Sequence, residues 1–269
     1  MKEKIQETLS QIEQSYEVKI ILAVESGSRS WGIPSESSDY DVRFLYVPRK
    51  EWYFSIEEKR DVIDFPVDNR IDLHGWELRK ALRLLNKNNP HLLEWLHSSI
   101  IYFQDEQCIS ALREIAQSAF SSKSALFHYI NMAKRNHLEF LQGHEVKIKK
   151  YFYVIRPILA CLWIEKHKCY PPLDFQELVQ GTLASCAIKE SILSLIQQKR
   201  AGVESGTTIQ FTELHHYMQL EIERISNYAK SLAEEHVNLI PQLDVVFREL
   251  LQYVWELDEV RTETRISPR

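Results

Sequence analysis

Asp39 and Asp41 stand two residues apart, and on an extended strand that spacing sends both carboxylates to one face. Two like charges held that close repel unless something positive lies between them. A hard divalent cation, Mg²⁺ or Mn²⁺, answers that need, because it takes carboxylate and phosphate oxygens as ligands. Upstream in the stretch 25–43 (E-S-G-S-R-S-W-G-I-P-S-E-S-S-D-Y-D-V-R) comes Gly27-Ser28. A glycine there lets backbone N–H groups approach an anion closely, and the Ser28 hydroxyl adds a donor. Arg29 is placed to contact triphosphate oxygens or developing charge. Together these residue types describe a nucleoside triphosphate site with its metal supplied.

A third carboxylate would complete it. Asp72 sits in R-I-D-L-H-G-W, which alternates apolar and polar side chains, so Ile71 and Leu73 face away from it. If that strand pairs beside the one carrying Asp39 and Asp41, three acids converge. Two cations could then stabilise the attacking and leaving oxygens of an in-line displacement, with Asp72 on the side of the incoming hydroxyl and able to accept its proton. On spacing alone Asp61, Asp64 and Asp68 compete for this role. A basic cluster lies further on: Lys147, Lys149, Lys150 and Arg156, interleaved with Tyr151, Phe152 and Tyr153. Lys150 and Arg156 are expected to touch the nucleotide, the bland alternative for Arg156 being a buried polar contact. Trp31 and Arg43 are expected to hold the loop together, and Ser38 to order the turn before Asp39.

The elements that must position these groups follow from periodicity. Residues 1–15 space Ile5, Leu9 and Ile12 as an amphipathic helix. Apolar runs at 18–24 and 41–47 read as buried strands, 52–56 and 61–67 as weaker strands, and 70–76 as a half-buried one. From Glu77 the period becomes helical, with Leu78, Ala81, Leu82 and Leu85 on one face, and Pro90 opens a second short helix to His97. Residues 100–103 suggest an edge strand. Beyond 105 the spacing predicts helices only, over 109–141, 149–168, 191–199, 211–235 and 242–257, broken at Pro171-Pro172 and over 200–208. The expected class is α+β: a catalytic domain over 1–105 and a helical substrate- or nucleotide-binding domain over 106–269.

Composition narrows the partners. With 44% hydrophobic and 26% charged residues in 269, a sizeable core and a solvated surface are both available. No run approaches the ~20 apolar residues that span a bilayer, and residues 1–15 lack the apolar block of a signal peptide, so no membrane is expected and the default location is the cytoplasm. Cys108, Cys161, Cys169 and Cys186 form no C-x-x-C pair and are expected as small reduced hydrophobes. A net charge of −5 argues against a general cationic coat for nucleic acid, leaving room for a local patch.

Gly27-Ser28, Asp39-x-Asp41 and a lone later Asp72 resemble the DNA polymerase beta nucleotidyltransferase superfamily. The fuller wording, E-S-G-S-R-S-W-G, S-D-Y-D-V-R-F-L-Y and D-L-H-G-W-E-L-R-K-A-L, resembles the bacterial YcgL-like or RlaP (RNA-ligase-associated) nucleotidyltransferases. The resemblance continues at Asn89-Pro90, Glu94-Trp95 and K-Y-F-Y-V-I-R-P (150–157), covering most of 20–165. It implies a polymerase-beta-like mixed sheet followed by an all-α domain whose first helices close over the nucleotide. It also implies nucleotidyl transfer from an NTP with Mg²⁺, a role in RNA metabolism, and Asp72 as the third acid. The acceptor would be an RNA end or a protein side chain. The rival reading is a nucleotide-binding regulator on the same scaffold, against which stands the presence of all three acids.

Overall fold

The computed structural model describes residues 1–266 except Ser37, Asn69, His144, 185–186, Glu204, 208–210 and 234–237, and leaves the side chains of 66–68, 205–207 and 257–266 undescribed. Cys186, the Asp68 side chain and part of the expected break at 200–208 therefore lie outside the described residues.

Helix α1 (Lys2–Tyr16) buries Ile5, Leu9 and Ile12 as its spacing requires, and Glu17 ends it in the left-handed region at φ 51. Strand β1 (Val18–Glu25) runs into a single helical turn, α2 (Gly27–Ser30), and β2 (Tyr40–Pro48) returns antiparallel to β1. Where a strand is expected over 52–56 the chain forms the short turn α3 (Lys50–Tyr53). Phe54 and Ile56 are 84% and 105% exposed, so no sheet neighbour is there to cover an alternating face. Strands β3 (Val62–Asp68) and β4 (Ile71–Glu77) pair antiparallel, and β4 then lies parallel to β2. Helix α4 (Leu78–Asn86) is capped by the Glu77 carboxylate, which accepts from the N–H groups of Arg79 and Lys80. Asn89 caps α5 (Pro90–His97), with Pro90 in the first turn as expected. Strand β5 (Ile101–Gln104) takes the other edge of β1, giving the order β3-β4-β2-β1-β5.

The helical span expected at 109–141 divides into α6 (Glu106–Ser118) and α7 (Ser122–Phe140), because the Ser121 hydroxyl accepts the Ser124 N–H and starts a new helix. Next come β6 (Glu145–Lys147), α8 (Ile148–His167), α9 (Phe175–Thr182), α10 (Ala187–Arg200), β7 (Ser205–Thr207), α11 (Thr212–Ser231) and α12 (Ile240–Ile266). The expectation of no strand beyond 105 is corrected by β6 and β7, which pair antiparallel. Three residues each are too few to carry a readable period. Pro157 lies inside α8 and cannot bond the carbonyl of Tyr153; the Asn136 side-chain amide donates to that carbonyl instead, at 2.8 Å.

The sheet is two-sided. Val42, Phe44, Tyr46, Ile71 and Leu73 face α1. On the other face Leu45 and Val47 enter a core completed by α4, α5, α6 and α12. Asp41 and Arg43 share that second face with Leu45, and Asp72 and His74 share it with Trp76, so β2 and β4 begin polar and end apolar. The site lies at their entry ends. A separate core gathers α7 to α11 around α8 and takes in Ile33 from the loop after α2. Among the described residues no helix is long and apolar enough to cross a membrane. Cys108 and Cys161 are buried free thiols, whereas Cys169, expected to be sheltered, is exposed.

Candidate active site

The site is built on Glu25, the last residue of β1. It is 1% exposed; one carboxylate oxygen accepts the backbone N–H of Asp41 at 2.8 Å and the other accepts the Tyr102 hydroxyl. Burial pushes its carboxyl above the ordinary range, and those two hydrogen bonds work against the shift. The Ser26 N–H donates to the Asp41 carbonyl at 2.8 Å, so the ends of β1 and β2 are locked together. At this point α2 begins with Gly27 at φ +63, and a Cβ there would collide with the Asp41 carboxylate. Ser28 Oγ donates to Ser38 Oγ at 3.2 Å, and Ser38 Oγ accepts the Ser35 N–H at 2.9 Å. Serine hydroxyls thus order the turn before Asp39, as expected.

The loop after α2 is held by the helical half. The Phe175 N–H donates to the Trp31 carbonyl at 3.0 Å, Arg200 Nη2 to that of Gly32 at 3.1 Å, and Lys199 Nζ to that of Ile33 at 2.6 Å.

Parallel pairing of β2 with β4 sets Asp41 directly against Asp72. The Arg43 guanidinium lies between them, 3.2 Å from Asp41 Oδ1 and 2.9 Å from Asp72 Oδ2. Burial pushes the Asp41 carboxyl above its ordinary range; Arg43 opposes this, and repulsion from Asp72 and Asp39 adds to it. Asp39, just before β2, is exposed. Among the described residues no three acid, histidine or cysteine side chains are gathered as a ready metal site. The donor chemistry nevertheless fits Mg²⁺ or Mn²⁺, since it consists of carboxylate oxygens alone. The bridging position between two of the acids belongs to Arg43.

Asp41, Trp31 and Tyr153 stand at the partition of a cleft with two halves. One half, about 210 Å³, is lined by Ser28, Ser38, Asp39, Lys147, Lys149 and Lys199. The other, about 490 Å³, is lined by Arg43, Asp64, Asp72, His74, Trp76 and Trp95. In the second half His74 Nδ1 meets Asp64 Oδ1 at 2.5 Å, while its Nε2 accepts the Trp76 indole N–H at 2.8 Å. That pairing puts the proton of the neutral ring on Nδ1, toward Asp64. The same contact holds the Asp64 carboxyl below its ordinary range. Trp76 stacks on Trp95 with centroids 3.9 Å apart.

A family model, RlaP, described as an RNA repair pathway DNA polymerase beta family, matches residues 1–249. The chain belongs to the RlaP family. Among RlaP relatives, the uncharacterized protein YcgL of Bacillus subtilis (strain 168) is 50% identical over 256 residues, spanning 95% of this chain and 98% of its own. A solved nucleotidyltransferase-like protein from Exiguobacterium sibiricum 255-15 aligns over 97% of this chain and 92% of its own, at 14% identity and a TM-score of 0.31, a likeness too loose to carry weight.

In this RlaP chain Asp39, Asp41, Gly27 and Ser28 meet at one cleft, and Asp72 joins them through its pairing with Asp41. Three expected nucleotide contacts are placed otherwise. Arg29 donates to the carbonyls of Ser38 at 2.8 Å and Asp39 at 3.0 Å and lies over the Tyr40 ring, so it fixes the acid-bearing segment. Lys150 sets its ammonium 3.4 Å from the Phe140 ring centroid. Arg156 is 3% exposed, bonded to Glu94 at 2.5 Å and packed on Trp31, because α8 is buried on almost every side at that depth. Trp31 packs as expected, its indole N–H reaching Glu94 at 3.4 Å. Lys199 and the Asp64–His74 pair were not foreseen. A lysine following Ile192, Leu195 and Ile196 at helical spacing is a charge on an apolar stripe, which is the signal that marks Lys199.

Proposed function

We propose that this protein transfers a nucleoside monophosphate from an NTP to a hydroxyl at an RNA end, releasing pyrophosphate. The observation that carries the reading is the in-register pairing of Asp41 with Asp72 beside a glycine turn that leaves no room for a side chain against Asp41. The family's description supports RNA as the acceptor. In the step, the acceptor oxygen forms a bond to the α-phosphorus as the bond from that phosphorus to the α–β bridging oxygen breaks. The electron pair leaves with pyrophosphate. Asp72, at 61% the most exposed of the paired acids, takes the acceptor proton. Asp41, on the shared wall, holds the reacting phosphate's side of the cleft, and the Ser28 hydroxyl, turned from Ser38, would donate to its oxygens. A divalent cation on Asp39, Asp41 and Asp72 would withdraw charge from the phosphates during the displacement.

The test is incubation of the full chain with each α-labelled NTP, Mg²⁺ or Mn²⁺, and total RNA or cell lysate, beside an Asp39→Ala/Asp41→Ala variant. Label on RNA that requires both acids is the expected result. Label on protein moves the acceptor class. Nucleotide binding without transfer or pyrophosphate release would overturn the enzyme reading in favour of a nucleotide-binding regulator.

A further inference from the structure

Strand β4 carries Asp72, His74 and Trp76 at alternate positions, so all three project from one face of the sheet into the larger half of the cleft. Trp76 is fixed on two sides. Trp95 of α5, itself 4% exposed, stacks on the Trp76 ring with centroids 3.9 Å apart, and the Trp76 indole N–H is spent on His74 Nε2. His74 is held at its other ring nitrogen by Asp64 of β3, and it stands edge-on to both indoles, 6.0 and 6.3 Å from their centroids. Trp76 nevertheless lines the cavity and is only half-buried. An indole whose polar edge is already satisfied, and which a second indole backs, offers a rigid apolar π surface to whatever enters. Such a surface takes a planar ring by stacking, and every nucleobase supplies one.

We propose that Trp76 is the stacking platform for a base of the acceptor strand, and that the acceptor is therefore a single-stranded RNA end at least two nucleotides long. The assignment rests on the nucleotidyl-transfer reading, which puts the acceptor hydroxyl at Asp72. From Asp72 to Trp76 the backbone of β4 advances four residues, about 13 Å at the rise of a strand. That is farther than a sugar hydroxyl stands from its own base, so the base over Trp76 belongs to the next nucleotide inward. A flush duplex end keeps that base paired and stacked between its neighbours and cannot give it to the ring. Asp64 and His74 are positioning residues: they act through Trp76 by holding the plane of its indole. Stacking reads no base edge, so the platform accepts any of the four bases.

The test titrates a short oligoribonucleotide calorimetrically into the full chain with Mg²⁺, beside the same strand abasic at its last or its second-last nucleotide and the same strand in a blunt duplex. Loss of the second-last base should weaken wild-type binding about tenfold, the worth of one base–aromatic stack, and loss of the last base far less. The duplex should bind at least about tenfold more weakly than the free strand. Trp76→Leu should abolish the difference between intact and second-last-abasic strands, and Trp76→Phe, which keeps a ring, should retain most of it. Asp64, 48% exposed, gives a variant that spares the core: Asp64→Asn should weaken the intact strand severalfold and leave the second-last-abasic strand unchanged. General loosening of the fold would weaken both alike. The wild-type comparison stands even if Trp76→Leu fails to fold. Equal binding of intact and second-last-abasic strands, a duplex bound as tightly as the free strand, or no binding of any strand overturns the platform. Transfer from α-labelled NTPs to the same strands is scored separately; its absence in a wild type that keeps the abasic pattern sinks the nucleotidyl-transfer reading and not the stack.

Discussion

The two halves of the cleft share a wall at Asp41 and differ in almost everything else. On one side hydroxyls of Ser28 and Ser38 and three lysines face two acids; on the other, acids, an arginine, a histidine and stacked tryptophans meet. The lysine side draws its residues from 28–41 and 147–203, far apart in the chain, whereas the acid side is built on adjacent strands of one sheet with Trp95 of α5 behind them. Polar groups on the acid side are already bonded to one another: Asp41 and Asp72 to Arg43, and His74 to Asp64 and Trp76. On the lysine side Lys199 donates to the Ile33 carbonyl, and among the described residues no carboxylate stands at ion-pair distance from the three lysines. The difference teaches that one half is preset in shape and the other is preset in charge. A preset charge suits a ligand that brings the opposite one, and a preset shape suits an acceptor that must be aimed.

Three substitutions test that contrast, in falling order of expected effect, and a pH dependence follows them. Asp41→Asn strikes the shared wall and keeps its shape. Transfer should fall by about a thousandfold, the upper end for loss of one preorganised electrostatic group, with little change in unfolding temperature. Activity within tenfold of wild type would remove Asp41 from the chemistry. Gly27→Ala pushes a methyl at the Asp41 carboxylate and strains a positive φ. Stability should drop by about 1–2 kcal/mol in denaturant unfolding, and transfer by about a hundredfold as the acid is displaced. Arg43→Met acts on the acid side and on the shared Asp41. With the bridging guanidinium gone, Mn²⁺ should bind severalfold more tightly in direct titration; weaker binding would mean that Arg43 supports the cation instead of standing in its place.

The smallest effect is on pH. Lys199 titrates near 8 in the folded chain and near 10.5 as an ordinary lysine, so between those values the unfolded chain holds more protons. Stability therefore rises with pH across that window, and the rise, on the order of 1 kcal/mol, should be absent from Lys199→Met. Lys149 and Arg29, the charges facing Lys199, set the depression, so Lys149→Met should shrink the window.

Legibility in the sequence followed the length scale of the signal. The acid pair, the Gly-Ser turn and the alternating strand around Asp72 are encoded within a few residues each, and strand geometry alone brings them to one face. The chain register that sets Asp72 against Asp41 is also foreshadowed, since Ile71 and Leu73 need the buried side. Lys150 and Arg156 could not be placed from spacing. Lys149, Tyr153 and Arg156 do share a helical stripe, but α8 is enclosed from Val154 to Cys161, and only a tertiary structure tells which part of the stripe meets water. Lys199 is harder still: its partner is the Ile33 carbonyl, far away in the chain, and a backbone oxygen leaves no trace in a sequence.

Three consecutive carbonyls, those of Trp31, Gly32 and Ile33, are bonded by Phe175, Arg200 and Lys199. This loop belongs to the sheet-bearing half by chain order and to the helical half by attachment. A graft that replaced the helical half to change the acceptor would strand three acceptors beside the glycine turn unless the new module supplied donors at the same places. The seam between the halves is therefore a constraint on descent as well as on shape: changes to the helical half are easier to reach by altering its helices in place than by exchanging them.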